Sequence, residues 1–308
     1  MIPSMKDKTY TVGIIGGGAV GLTFAALLAD SANIIIKTRS QNQAEEIKSR
    51  GIYLTERLTN GKEKQEIISG IDATSDASKF TECDAVIITV KSYDTESVAK
   101  EFSSVFKDIT EIITVQNGLL AYDLLKKNIK NPEQIFAGVA YIGSARLNDY
   151  RVSVGDNLRI VLDAKATITG RILQASRFEF ESTNEIKQAV WEKVAINAAQ
   201  NALGAITGLT LGEMGESEEC LEIGFTLLKE FEEVANAEGV SFPYSLQDKL
   251  IKNWEMSHHP SMWQDLQNKK RTEIDAINGA ISFLGKKHGI ATPYNDMMTS
   301  LIKVLEKK

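Results

Sequence analysis

The stretch Tyr10-Thr11-Val12-Gly13-Ile14-Ile15-Gly16-Gly17-Gly18-Ala19-Val20-Gly21 decides how the first half of the chain is read. Residues 10–15 are a short apolar, β-branched run suited to a buried strand, and the Ala- and Leu-rich residues 19–30 read as a helix. Between them Gly16, Gly17, Gly18, Ala19, Val20 and Gly21 satisfy G-x-G-x-x-G at a strand-to-helix junction. The first glycine allows the tight turn, and the second lets backbone approach an anion. The third lets helix and strand pack closely, with the helix N-terminus facing that anion. In this context the pattern predicts a site for the pyrophosphate of a dinucleotide.

Beyond this segment, 33–37 (NIIIK) reads as a second strand and 41–50 as a second helix. The runs 84–90 (DAVIITV) and 111–115 (EIITV) are two more apolar strands, each followed by a helical pattern. Continuous apolar runs suit strands covered on both faces, and the alternation predicts an α/β fold built on a doubly wound parallel sheet. Residues 135–162 read as short strands at an antiparallel edge. From Thr183 the texture changes to long amphipathic stretches: 185–203, 217–238, 244–254, 272–288 and 293–305. The expected organisation is a dinucleotide-binding domain over 1–182 followed by an all-helical domain over 183–308.

Composition narrows the function. Lys and Arg number 35 against 41 Asp and Glu, for a net charge of −6. That balance lacks the basic footprint of a nucleic-acid binder, so no nucleic-acid partner is expected. Cys83 and Cys220 form no C-x-x-C pair, and three histidines are too few for a His-based metal site, so no metal is expected. The polar lead from Met1 to Tyr10 precedes an apolar run that breaks at once at Gly16. No signal sequence or membrane span is expected, and a cytoplasmic location fits.

The end of the second strand discriminates between cofactors. A site for NAD places Asp or Glu there to accept hydrogen bonds from the ribose. Here the residues are Ile36-Lys37-Thr38-Arg39-Ser40, with no acid. Arg39 lies where a guanidinium would clasp a 2′-phosphate, so NADP(H) is the expected cofactor, with Lys37 and Arg39 as solvated surface charges the alternative. Lys91 and Asn117 stand just beyond two further strands, at the carboxyl edge where this fold places ligands. By themselves these two read equally as a strand cap and a simple Asn-Gly turn.

In the second half, Lys193, Asn197 and Asn201 recur at i, i+4 and i+8, so they share one stripe of a helix whose other residues are mostly Val, Ile and Ala. An ammonium and two amides on such a helix carry a desolvation cost, and a ligand-facing stripe would explain tolerating it. A solvent-facing stripe is the alternative. Ser261 and Glu273 stand at helix starts, where such residues most often act as caps.

Taken together, these segments resemble the 2-dehydropantoate 2-reductase (ketopantoate reductase) family over the whole chain. The matching stretches are IIGGGAVG near the start, TVKSYDT at 89–95, VQNG at 115–118, WEKVAINAAQNALGAITG at 191–208 and SMWQDLQNKKRTEIDAING at 261–279. The resemblance implies a Rossmann-type N-terminal domain and a helical C-terminal domain, with the active site in the cleft between them. It implies NADPH-dependent reduction of a 2-keto acid, 2-dehydropantoate, with Lys193 as proton donor. Asn197, Asn201 and Ser261 would bind substrate, and Glu273 would sit near the lysine and the cofactor. Asn117 would lie near nicotinamide and substrate; Arg39, Lys91 and Ser144 would contact the cofactor. The sequence departs from the family at Leu211, where some members have a substrate-binding Asn, at Ala202 in place of proline, and around 145–155, where a glycine-rich hairpin is often found. A reductase of another 2-keto acid and a non-catalytic NADPH sensor are the competing readings, and a homodimer is left open.

Overall fold

The computed structural model describes residues 10–58, 61–108 and 110–308; the polar lead up to Thr9 lies outside the described residues. The chain divides into two compact units. The first runs to Gln116 and resumes over Ala121–Ile186, and the second joins Asn117–Leu120 to Lys187–Lys308.

The first unit is built on a 10-stranded sheet. Its strands are β1 (Thr11–Ile15), β2 (Asn33–Lys37), β3 (Ile52–Arg57), β4 (Glu63–Ile68), β5 (Asp72–Thr74), β6 (Ala85–Ile88), β7 (Glu111–Thr114), β8 (Ile135–Arg146), β9 (Arg151–Asp163) and β10 (Glu179–Thr183). Along the sheet the order is β4-β3-β9-β8-β7-β6-β1-β2-β5, with β10 paired to β9. From β8 to β5 all neighbours run parallel, which is the doubly wound core read from the sequence. The interleaved helices are α1 (Ala19–Leu28), α2 (Gln41–Arg50), α3 (Thr95–Phe102), α4 (Ala121–Asn128) and α5 (Thr167–Gln174). Val12, Ile14, Ile36, Val86 and Ile112 are fully buried, as strands covered on both faces require.

Besides the short strands β5 and β10, which were not expected, two features differ from the expectation. Residues 135–162 form not short strands but a long antiparallel hairpin of 12 and 13 residues. β8 pairs with β7 through Ile135–Ala137 and with β9 from Gly138 onward, so one strand serves both the parallel core and the antiparallel extension. Within the antiparallel ladder the register shifts between Ile142 and Ser144. The second feature is the β3–β4 hairpin, for which no strand was expected. Its residues, IYLTER and EKQEII, alternate with charge, and β4 carries little burial.

Among its described residues the second unit has helices and no strand: α6 (Ile186–Thr207), α7 (Leu211–Gly215), α8 (Glu218–Ala237), α9 (Leu246–Asn253), α10 (Ser261–Gln267), α11 (Asn278–His288) and α12 (Pro293–Leu305). Trp191, Val194, Leu227, Phe231, Trp254 and Ile281 belong to its core. The periodic stretch 272–288 is not one helix. A 3-10 turn, Ile274–Ala276, precedes α11, and Ile277 between them has φ −103° and ψ −96°, which a continuous helix cannot contain. Among the described residues no helix is long and apolar enough to cross a membrane. Nor do three His, Cys, Asp or Glu converge there as a metal would need.

Candidate active site

In the first unit β1, β2 and β6 run parallel, so their carboxyl ends share one edge of the sheet. The glycine segment leaves β1 at that edge. Gly16 has φ +124°, a region that L side chains rarely adopt, and a Cβ on Gly21 would lie 1.7 Å from the Gly16 carbonyl oxygen. Turn and helix can therefore close together only with glycine at both places. Gly18, at the N-cap of α1, makes no side-chain cap, and the first turn carries no acid. Space beside Gly18 is open where a Cβ would project. A ten-residue helix with its first amides uncapped and backbone open to approach fits a pyrophosphate.

Arg39 follows β2 at the same edge, but it is not idle. Its Nη2 donates to Asp94 Oδ2 at 2.8 Å, while its side chain is 86% exposed. Lys37 pairs with Glu101 of α3 at 3.1 Å. Lys91 follows β6 and opens the 3-10 turn Ser92–Asp94. Ser144 lies on β8 opposite Val154, two residues before Arg146 and therefore on the same face. Arg146 Nη1 donates to the Gly17 carbonyl at 3.3 Å, and Gln43 Nε2 donates to the same oxygen at 2.8 Å. Sequence reading overlooked Gln43 and Arg146, because nothing in their local pattern connects them to Gly17.

In the second unit Lys193, Asn197 and Asn201 lie on α6 at helical spacing. Lys193 and Asn197 are half-buried, and Asn201 is 3% exposed. Neither Asn197 nor Asn201 forms a side-chain hydrogen bond among the described residues. Gln200, off the stripe, is committed to structure: its Oε1 accepts from Asn253 Nδ2 at 2.7 Å and from Trp254 Nε1 at 3.2 Å. Burial pushes the Lys193 ammonium from 10.5 down to about 8, against the opposing pull of the Glu273 carboxylate. Its proton is therefore unusually easy to give up near neutral pH.

Glu273 is 7% exposed and immediately precedes the 3-10 turn. Asn117 Nδ2 donates to its Oε2 at 3.2 Å. The Asn117 segment is docked by Leu119 N, which donates to the Ala276 carbonyl at 3.2 Å. Gly118 has φ +97°, and a Cβ there would lie 2.4 Å from the Ala276 oxygen, so the close approach needs glycine. Asn117, Glu273 and Lys193 are thus brought together from positions far apart in the chain. Ser261 opens α10 and is exposed, and among the described residues its side chain bonds to none of them. Its neighbour Pro260 packs against α6. Gly204, less than one turn beyond Asn201, packs so tightly on Pro260 that a Cβ would come within 2.6 Å of its ring.

A second layer that the sequence did not signal holds α6 from behind. Asn278, fully buried, donates through Nδ2 to the Ala198 carbonyl at 2.9 Å and to Asn295 Oδ1 at 3.0 Å. Asn295 donates in turn to the buried Glu230 carboxylate at 2.7 Å. This chain ties α8, α12, α11 and α6 together one residue away from Asn197. Leu211, by contrast, is 1% exposed in the helical core and offers no polar group.

Comparison with known proteins gives the family and the fold. The model of the ketopantoate reductase PanE/ApbA family matches residues 12–166, and that of its C-terminal domain matches 185–306. A 2-dehydropantoate 2-reductase of Archaeoglobus fulgidus is 28% identical over 97% of this chain and 99% of its own. One from Lactococcus lactis is 27% identical over 96% and 97%. Among solved structures, a ketopantoate reductase of this family from Ralstonia eutropha superposes with a TM-score of 0.88 at 27% identity, covering 96% of this chain and 98% of that one. A D-mandelate dehydrogenase, solved with NADH and anilino(oxo)acetate, gives 0.85 at 26% over 96% and 98%. With a Rossmann-type first unit, a helical second unit and both family models matched across nearly the whole chain, the protein is an oxidoreductase belonging to the ketopantoate reductase PanE/ApbA family.

Proposed function

We propose that the protein reduces a 2-keto acid, 2-dehydropantoate, to the 2-hydroxy acid at the expense of NADPH. The observation that carries the reading is Lys193. It is a half-buried ammonium held near 8, beside Glu273 and on one stripe with two amides that make no side-chain hydrogen bond among the described residues. Bound NADPH would supply a hydride to the keto carbon. The protein must then neutralise and protonate the alkoxide oxygen that develops as the carbonyl π bond breaks. Lys193 Nζ does both, first by its positive charge and then by transferring one proton, which completes the alcohol. Asn197 and Asn201 offer donors and acceptors for the polar groups of the acid, and Ser261 adds a hydroxyl. Glu273, positioned by Asn117, holds the ammonium and opposes its desolvation. The uncapped start of α1 would take the pyrophosphate, with Arg39 and Lys91 toward the adenosine phosphate and Ser144 as a further cofactor contact.

A specific observation favours a second reading, reduction of a different 2-keto acid. Leu211 is buried and apolar where some family members bind substrate through Asn, and the D-mandelate dehydrogenase neighbour was solved with anilino(oxo)acetate. Initial rates of reduced-nicotinamide oxidation with 2-dehydropantoate and with branched and aromatic 2-keto acids separate the two. The higher kcat/KM with 2-dehydropantoate supports the first reading. Turnover confined to another keto acid supports the second, and nucleotide binding without any turnover would leave a sensor.

A further inference from the structure

We propose that Asp94 sets the cofactor preference by competing with the adenosine 2′-phosphate for Arg39, so that the site accepts NADH as well as NADPH. The inference rests on reading Gly16–Gly21 and Arg39 as part of a dinucleotide site. The end of β2 carries no acid in sequence, yet the fold delivers one through space, 55 residues away along the chain. β6 lies next to β1 and β1 next to β2, so the 3-10 turn after β6 comes out beside the end of β2. Asp94 is the last residue of that turn, and its Oδ2 accepts from Arg39 Nη2 at 2.8 Å. Although Asp94 stands at the N-cap of α3, its carboxylate makes no cap bond, so the helix start does not claim it. The Arg39 side chain is 86% exposed, and what orients its guanidinium is the charge of Asp94 rather than packing.

Lys37 is matched in the same way by Glu101, seven residues further along the same turn-and-helix segment. Both cations at the end of β2 are therefore balanced by acids. A phosphate dianion arriving at Arg39 meets a guanidinium already partnered and a carboxylate in contact with it, so binding must break that pair and bear the repulsion. A ribose 2′-hydroxyl is neutral and donates a hydrogen bond, so it can approach an Asp–Arg pair without separating it. Arg39 still favours NADPH, but by a smaller factor than an unopposed guanidinium would.

Dissociation constants for NADPH and NADH, read by nucleotide and intrinsic fluorescence on the full chain, test this without reference to the keto acid. The proteins are wild type, Asp94→Asn, Asp94→Ala, Arg39→Ala and the double variant Arg39→Ala/Asp94→Asn. Removing the carboxylate should tighten NADPH by about fivefold, the ceiling for an exposed ion pair. NADH should stay the same or weaken, and the change in ratio should shrink when Arg39 is absent. Weaker NADPH binding in both Asp94 variants overturns the proposal, because Asp94 would then be orienting Arg39 for the phosphate. An equal change for both nucleotides, or an undiminished ratio change without Arg39, overturns it as well. Wild type that binds neither nucleotide overturns the dinucleotide reading itself, and this proposal with it.

Discussion

Raising the pH should switch the reaction off at the pH where Lys193 loses its proton. An exposed lysine titrates near 10.5, and burial brings this one to about 8. The difference corresponds to about 3 kcal/mol of lost preference for the charged form. Keto reduction needs the ammonium as proton donor, so kcat/KM for the keto acid should be level below about 8 and fall tenfold per pH unit above it. The carboxylate of Glu273 raises the lysine pKa, so Glu273→Gln should move the falling limb to lower pH. The assay is the initial rate of NADPH oxidation across the pH range, at saturating cofactor. A profile level up to the ordinary lysine range would refute the reasoning, and so would a limb that moves upward in Glu273→Gln.

Four further outcomes follow. The unfolded chain holds the Lys193 proton up to about 10.5 and the folded chain only to about 8, so this group costs stability at neutral pH and the cost disappears as pH rises between those values. Lys193→Met should therefore raise the thermal midpoint at pH 7 while abolishing reduction, and a lowered midpoint would show that the ammonium is better solvated than its burial implies. Asn278→Ala leaves Asn295 Oδ1 without its donor in the core, which should cost about 1–3 kcal/mol in denaturant unfolding and lower kcat as α6 loosens. Gly118→Ala must displace the Asn117 segment from Ala276, and steady-state kinetics should show a loss of kcat with little loss of fold by circular dichroism. Gly21→Ala cannot place its Cβ against Gly16, so fluorescence titration should show nucleotide binding lost or the chain destabilised.

The parallel core was legible because burial on both faces writes itself as unbroken apolar runs. Ile34 and Ile36 in β2 and the AVII of β6 leave little room for another reading. The β3–β4 hairpin escaped because its residues are charged and paired across strands, such as Arg57 with Glu63, and charge does not announce a strand. The break between Glu273 and Asn278 escaped because Ile274 and Ile277 keep helical periodicity while the backbone at Ile277 does not. For the site, spacing alone was enough to align Lys193, Asn197 and Asn201, since a helix fixes which residues share a face. It could not show that Asn117 meets Glu273, that Asp94 meets Arg39, or that Asn278 reaches the Ala198 carbonyl. Each of those pairs is made by tertiary folding between residues with no local pattern in common.

The most direct test compares wild type with Lys193→Ala in two measurements, kcat for keto-acid reduction and the dissociation constant for NADPH. A positioned general acid contributes about 10²–10⁴-fold, so kcat should fall by at least that lower factor while NADPH binding stays within error. An unchanged kcat in Lys193→Ala would contradict the account, because the proton would then be coming from another group.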